Sequence, residues 1–335
     1  MRMYPYIVFL GLFCITNCKH VTDISLADTS SPHFCTEVVG DTLCAYQWGS
    51  PPPAIGNEVS PEETIHYTSP SINPNNPNQF VCFKQDYSWP FKASIITYDM
   101  NTETENILFN FSGVMIGNLS WGKKDWIAFT QGQGTIRIFK SDGSNDHLIV
   151  DHSGMNFGSG AGPEWSPDGN YLYYHTINGN PSVGIFCDTM GITVSNFRII
   201  PKPDWNANNQ FIGGGGQQIR MSSLSDSTST IIAEWGQQNN FDQIQSIEWL
   251  PDNRHAVFSK YRGLFRVDTH TGEILQMKES CEMKNYKILS VCNEGNFILC
   301  EKILGKHHTP YIVHESHEIW KMDINGCNEV RVLPK

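Results

Sequence analysis

Residues 163–174 of the 335-residue chain read Pro-Glu-Trp-Ser-Pro-Asp-Gly-Asn-Tyr-Leu-Tyr-Tyr. Pro167 fixes φ near the value that the second position of a type I turn requires, Ser166 can bond back to the turn, and Gly169 suits the fourth position. The aromatic and apolar residues on either side favour β-strands. The stretch therefore predicts two antiparallel strands joined by a tight turn.

The same pattern recurs along the chain. A second copy covers residues 247–258 and a third covers residues 119–129, whereas weaker copies begin near residues 72, 204 and 291. The equivalent positions, spaced by 48, 44, 40, 44 and 43 residues, are Asn73, Trp121, Trp165, Trp205, Trp249 and Cys292. A repeat of this length with strand signals is typical of propeller blades that hold four strands each.

A second set of polar turns lies between the copies, as four strands in each blade require. These turns begin at Tyr98, Ser141, Asp188, Ser225, Asp268 and Asp323. The sequence therefore predicts an all-β fold, a six-bladed β-propeller of four-stranded antiparallel blades. The expected blades cover residues 66–110, 111–152, 153–201, 202–237, 238–278 and 279–335. We expect Trp165 and its equivalents to fill the gaps between blades rather than to contact a ligand.

The segment from Trp165 to Gly169, followed by an apolar strand, resembles the repeat of TolB-type propellers, which also builds the propellers of some peptidases. The resemblance spans residues 66–335 and is clearest in the third and fifth expected blades. It implies the propeller fold. It does not imply TolB's own role, because neither the separate N-terminal α/β domain of TolB nor a C-terminal hydrolase domain is recognisable in the sequence.

Residues 1–17 resemble a bacterial lipoprotein signal peptide. The apolar run over residues 6–15 is too short to span a membrane but suits the core of a signal peptide. The following Ile-Thr-Asn-Cys resembles a lipobox, which implies that Cys18 is the lipidated first residue of the mature chain. Because Ile15 and Asn17 depart from the commonest lipobox residues, an ordinary cleaved signal with an incidental cysteine is the alternative.

Residues 19–65 are expected to form a tether and an N-terminal leader before the propeller at 66–335. Whether this leader supplies a strand that closes the ring stays open. Ten cysteines fit an oxidising compartment. Cys35 and Cys44 flank a predicted turn and are the first candidates for a disulfide, whereas the others equally fit buried free thiols.

Recognisable catalytic and cofactor motifs are missing from the sequence. It contains no Gly-x-Ser-x-Gly elbow, no phosphate-binding Gly-x-x-x-x-Gly-Lys-Ser/Thr loop and no His-Glu-x-x-His helix. We therefore expect no cofactor and no catalytic residue set, which argues against an enzyme. The glycines at 213–216 indicate a flexible or bulged connection, or else a close approach of a ligand at the channel mouth.

One histidine-rich stretch is a candidate metal site. The residues His307, His308, His314 and His317 are expected in an extended loop, with Glu315 and Glu318 nearby. Imidazoles and carboxylates bind zinc, but the spacing matches no closed zinc site and exposed histidine-rich loops are common. The sequence therefore assigns no metal here, and metal binding by the His307–His317 loop stays open.

These features indicate a binding or scaffold propeller that presents loops to a protein or glycan partner. The net charge of -11 argues against nucleic acid, which selects a basic face. Lipidation at Cys18 implies a protein of the bacterial cell envelope. We expect a monomeric propeller that is lipid-anchored to a membrane and faces the periplasm or the exterior. The alternative is a polysaccharide-active enzyme, a lyase or hydrolase, with a site in the central channel.

Overall fold

A computed structural model of the chain describes residues 65–335, apart from gaps at 88–90, 113–115, 133–134, 152–161, 177–182, 192, 199–203, 209, 216–217, 224–225, 236–243, 261–262, 280–283, 293, 295 and 310–311. All described residues belong to one compact unit, Phe34–Lys335. The signal peptide, Cys18, the tether and the candidate pair Cys35 and Cys44 lie outside the described residues. In the described part of the chain, no helix is long and apolar enough to cross a membrane.

The described residues form six sheets, each made of four strands that follow one another in the chain. The first three sheets comprise β1 (Ile65–Ile72), β2 (Gln79–Asp86), β3 (Lys92–Asp99), β4 (Thr104–Ser112), β5 (Ile116–Trp121), β6 (Trp126–Gln131), β7 (Thr135–Lys140), β8 (His147–Val150), β9 (Glu164–Trp165), β10 (Leu172–Thr176), β11 (Val183–Cys187) and β12 (Thr193–Arg198).

The last three sheets have the same order of strands. They comprise β13 (Asp204–Trp205), β14 (Gln210–Gly215), β15 (Gln218–Ser223), β16 (Asp226–Glu234), β17 (Ile244–Trp249), β18 (His255–Lys260), β19 (Gly263–Asp268), β20 (Ile274–Glu279), β21 (Lys284–Cys292), β22 (Phe297–Thr309), β23 (Ile312–Asp323) and β24 (Val330–Leu333). Every pair of neighbouring strands is antiparallel. The prediction of an all-β chain with four-stranded antiparallel sheets is confirmed.

Buried apolar side chains join the sheets face to face. They fall into six clusters among the described residues, and each cluster takes members from two sheets. Five clusters join sheets that are adjacent in the chain. The sixth joins the first sheet, through residues such as Phe80 and Ile96, to the last sheet, through Leu299 and Ile319. Because a strand between two packed faces is buried on both sides, the first five residues of β18, His-Ala-Val-Phe-Ser, are all buried.

The turn at residues 166–169 forms as the sequence predicts. The amide of Gly169 donates to the carbonyl of Ser166 at 2.8 Å, and the hydroxyl of Ser166 accepts from the amide of Tyr171 at 2.9 Å. Asp168 accepts from the Ser166 hydroxyl at 2.6 Å and from the Asn170 amide at 2.9 Å. Trp165, which is 4 % exposed, packs in the cluster between the second and third sheets, as predicted.

The fourth strand of each sheet shifts register against the third strand. In five sheets the shift lies three residues before the end of the third strand, next to Ile96, Arg137, Arg220, Phe265 and Trp320. In the third sheet it lies between Phe186 and Cys187. A β-bulge of this kind bends the outer strand and increases its twist.

Three local predictions are wrong. His307 and His308 lie in β22 and His314 and His317 lie in β23, so these histidines belong to paired strands rather than to an extended loop. The glycines of β14 form a regular ladder with β15. Gly214 is close to the next sheet, since a Cβ on it would lie 2.0 Å from Cδ1 of Ile244. The turn predicted to begin at Ser225 does not extend over Asp226 and Ser227, because both belong to β16.

The described cysteines are mostly free thiols. Cys82, Cys187, Cys292 and Cys300 are buried and unbridged, which matches the alternative of small apolar core residues. Cys327 is disulfide-bonded.

We expect Gly169→Ala to lower the free energy of unfolding by about 2–4 kcal/mol, because the new Cβ would lie 2.8 Å from the backbone nitrogen of Lys124 in the neighbouring sheet. Gly143→Ala is the matched control, since both glycines have a positive φ (68° and 83°) but Gly143 has open space around it. Its cost should be about 1 kcal/mol, from the backbone alone. Urea denaturation measures both, and equal losses would contradict the proposed sheet contact.

Candidate functional site

The first strand of each sheet lies innermost and ends at a common cavity. First strands of neighbouring sheets pack against one another, β1 against both β5 and β21. The cavity has a volume of about 590 Å³ and is lined from all six sheets, by residues that include Asn73, Trp121, Trp165, Trp205, Trp249 and Cys292. These are the equivalent positions of the sequence repeat. The repeat therefore places one residue from each sheet around the same opening, although the sequence predicted only a packing role for the tryptophans.

Side-chain oxygens on the first strands bond to the backbone of the next sheet. Ser71 accepts from the Trp121 amide at 2.9 Å, Ser120 from the Trp165 amide at 3.2 Å, and Asp204 from the Trp249 amide at 2.5 Å. Ser246 likewise accepts from the Leu289 amide at 3.2 Å, and Ser290 from the Ile72 amide at 3.0 Å. These bonds hold the wall of the cavity in one geometry.

Three carboxyl groups line one side of the cavity. Glu164, Asp204 and Glu248 each directly precede a repeat tryptophan, in the third, fourth and fifth sheets. Each residue is partly exposed, so the cavity reaches it. The sequence prediction named none of them. The available signal was an acidic residue before the tryptophan in three consecutive copies of the repeat.

Burial and mutual repulsion make these carboxyl groups hard to ionise. Burial raises the pKa of Asp204 to about 7, although the amides of Trp249 and Trp205 donate to it and oppose the shift. Burial, and then the charge of Asp204, hold the pKa of Glu164 well above its usual range. The pKa of Glu248 is raised by burial and then by Asp204 and Glu164. The charge on each of these carboxyls therefore opposes ionisation of the others, and all three keep their protons to a higher pH than exposed carboxyls do.

The chemistry of the wall favours a cation. A positive charge in the cavity would stabilise the ionised carboxylates and reduce their repulsion. The indole faces of the tryptophans can also attract a cation. Trp165 and Trp249 are each 4 % exposed, and neither indole N–H has an acceptor among the described residues.

The other candidate residues are elsewhere or outside the described part. His317 is not brought to the cavity; its Nδ1 lies 2.8 Å from Oε1 of Glu301. Glu318 accepts from the Trp320 indole at 2.8 Å and lies 3.6 Å from Arg331. Within the described ranges, no group of three or more His, Cys, Asp or Glu side chains is arranged to hold a metal ion. The side chains of His307, His308, His314 and Glu315 lie outside the described part.

Comparisons with solved structures show the fold. A chain in the crystal structure of the nidogen/laminin complex matches with a TM-score of 0.54 and 10 % identity, over 69 % of this chain and 86 % of that one. The β-propeller domain of the Trilobed protease from Pyrococcus furiosus, described as having an open velcro topology, matches at 0.50 and 9 %, over 80 % and 98 %. TolB from Acinetobacter baumannii matches at 0.45 and 14 %, over 72 % and 65 %. The chain therefore has a β-propeller fold, as predicted.

No protein-family model and no curated protein matches the sequence. The two likenesses with a TM-score of 0.50 or more are at or below 10 % identity and indicate a common fold alone.

We expect the stability of the protein to fall as pH rises from about 4 to about 7. A carboxyl whose pKa is raised on folding keeps its proton longer in the folded state, so the folded state binds more protons in this window and loses that advantage above it. Asp204→Asn cannot ionise, and it keeps one acceptor oxygen for the Trp249 amide in place of the two that Asp204 offers to Trp249 and Trp205. At pH 8 it should therefore gain about 1–2 kcal/mol over the wild type.

Thermal denaturation of both proteins from pH 4 to pH 8 measures this effect. The control is Asp146→Asn, which removes a carboxylate on the outside of the second sheet, where it pairs with Arg137. If the dependence of stability on pH is the same in Asp204→Asn as in the wild type, the raised pKa of Asp204 is contradicted.

Proposed function

We propose that the protein is a binding propeller of the bacterial cell envelope. Its cavity holds a segment of a protein partner, and a lysine or arginine side chain of that segment enters between Glu164, Asp204 and Glu248. The observation that carries this proposal is the set of three interacting carboxyls on the wall of a cavity that all six sheets line. A basic side chain supplies a positive charge next to these three carboxyls.

Several features support binding rather than chemistry. The cavity wall consists of turns fixed to a rigid ring by hydrogen bonds between sheets, a geometry that suits recognition. A cavity of about 590 Å³ is in the range of small-ligand sites and admits one or two side chains of a partner. Propellers occur in protein complexes such as nidogen/laminin, which is consistent with this role.

The proposal includes a closed six-bladed ring and its anchorage to a membrane. We take the six sheets as six blades of one closed ring over residues 66–335, monomeric and similar to TolB-type propellers. The apolar cluster between the first and last sheets supports closure. The lipobox-like Cys18, following the signal peptide at 1–17, and the tether at 19–65 support anchorage of this ring to a membrane, facing the periplasm or the exterior.

A peptide-display selection against the mature chain tests the binding site. We expect the selected peptides to be enriched in lysine or arginine. Replacing that residue by norleucine or citrulline should weaken binding at least tenfold, because the side chain keeps its length but loses its charge. Fluorescence anisotropy with synthetic peptides measures this loss.

A variant pair locates the bound charge. The triple variant that combines Glu164→Gln, Asp204→Asn and Glu248→Gln should lose the same tenfold in affinity. A control with the same number of carboxyl-to-amide substitutions combines Glu103→Gln, Asp146→Asn and Glu273→Gln, all outside the cavity lining, and should bind as the wild type does. No preference for basic peptides, or equal binding by both triple variants, would refute the proposed site.

Fatty-acid labelling tests the membrane anchor. When the full chain is expressed in a bacterial host with an alkyne-tagged palmitate, the wild type should be labelled and Cys18→Ala should not, because a lipobox cysteine carries the lipid. Cys14→Ala, a substitution within the apolar run, is the control and should retain the label. Equal labelling of wild type and Cys18→Ala would remove the anchor from the proposal.

A further inference from the structure

One positive charge borders the cavity on the side away from Glu248. Lys123 is the one basic residue among the described residues that line the cavity, and it lies in the turn between β5 and β6. The first strands pack in the order β5, β1, β21, β17, so the first and sixth sheets separate Lys123 of the second sheet from Glu248 of the fifth. The two charges therefore lie on different sides of the opening.

The backbone of Lys123 is held by two neighbouring sheets. Its carbonyl oxygen accepts from the side-chain amide of Asn75 in the first sheet at 2.9 Å. The third sheet contacts the same turn, since a Cβ on Gly169 would lie 3.3 Å from the backbone nitrogen of Lys123. The residue itself is exposed, and within the described ranges its ammonium makes no hydrogen bond or ion pair. A fixed backbone thus presents a charge that a bound molecule can reach.

The two nearest lysines of the second sheet have partners within the protein. Lys124 donates to the side-chain oxygen of Asn170 in the third sheet. Lys140 donates to the carbonyl oxygen of Lys124 at 2.7 Å, and its ammonium lies 4.1 Å from the centre of the Trp126 ring. Neither lysine lines the cavity. Lys123 is therefore the lysine of this region that can pair with an occupant of the cavity.

The three carboxyls on the acidic side differ in how far they are used by the protein itself. Asp204 accepts from two backbone amides, at 2.7 and 2.5 Å, so each of its oxygens holds part of the wall. Glu164 accepts from the hydroxyl of Ser120 at 3.2 Å. Glu248 accepts no hydrogen bond from the described residues, and burial and the neighbouring carboxyls alone raise its pKa. Glu248 is therefore the carboxyl that is most open to a bound group.

The opposite charges do not neutralise each other across the cavity. The charge of Lys123 lowers the pKa of none of the three carboxyls, which burial and mutual repulsion raise instead. A negative group on an occupant would be attracted at Lys123 and repelled at Glu248, whereas a positive group would experience the reverse. An occupant that carries both charges is therefore bound in one direction.

We infer that the bound segment carries an acidic residue as well as a basic one, and that the basic residue pairs with Glu248 while the acidic residue pairs with Lys123. This inference rests on the proposed function, and it adds a second charge and a direction to the bound segment. Charges at the rim of a site act mainly on specificity and on the rate of association. Lys123 therefore selects among basic segments rather than supplying most of the affinity.

Synthetic versions of the basic peptides from the display selection test the second charge. We expect these peptides to share an acidic residue, and its replacement by the amide should weaken binding to the wild type about three- to fivefold. The same replacement should not change binding to Lys123→Met, which keeps most of the length of lysine but not its charge. Lys124→Met, in the same turn but outside the cavity lining, is the matched control and should respond as the wild type does. Fluorescence anisotropy at low ionic strength measures these affinities, because salt screens an exposed ion pair.

Two further variants test the direction of the segment. Lys123→Glu should bind a peptide whose acidic residue is replaced by lysine more tightly than it binds the original peptide. Glu248→Gln should lose the preference for lysine over norleucine at the basic position of the peptide. Glu273→Gln, which lies outside the cavity lining, is the control for Glu248→Gln and should keep that preference.

The outcomes separate this inference from the proposed function. Basic peptides that share no acidic residue would overturn the inference and leave the proposed binding site intact. An amide replacement that weakens binding equally to Lys123→Met and Lys124→Met would do the same, as would an unchanged preference for lysine in Glu248→Gln. A selection without any preference for basic peptides would refute the proposed site and the inference together.

Discussion

The structure depends on contacts between side chains across sheets that share no strand. A backbone ladder holds each sheet together internally, but the described ladders stop at the fourth strand. Apolar faces supply the attraction between sheets, and it has no direction of its own. Direction comes from single side-chain acceptors on the first strands, such as Ser71, Ser120 and Asp204, each of which holds one amide of the next sheet. The cavity keeps its shape because these bonds fix where the first strands end.

Local turn chemistry made most of the fold predictable. Ser166, Pro167 and Gly169 determine a turn through their own backbone preferences, and a repeated turn gives the register of a repeated sheet. The paired strands that hold His307 and His314 could not be predicted, because polar residues at a hairpin tip look like a loop when their partner strand is unknown. The bulged connection predicted around Gly214 was wrong for a related reason. The side chain that requires its bare backbone is Ile244, 30 residues away and in another sheet.

The cavity is bordered by residues that also pack between the sheets. The repeat tryptophans fill the gaps between sheets, as the sequence predicts, and the same residues border the opening. The acidic residues beside them could not be identified from local sequence, because Glu164, Asp204 and Glu248 become neighbours only when the sheets are placed around an axis. Proximity then changes their chemistry, since ionising one raises the cost of ionising the next.

The register shifts in the outer strands affect how copies of the protein meet. Among the described residues the outer strands pair with no further strand, and several of them also expose an apolar side chain, such as Ile107, Leu148, Ile231 and Val330. A flat strand of this kind would template pairing with another molecule and lead to aggregation. Because each outer strand is bulged, its amides and carbonyls do not present one straight row. Many copies can therefore crowd together in solution or on a surface without joining their sheets edge to edge.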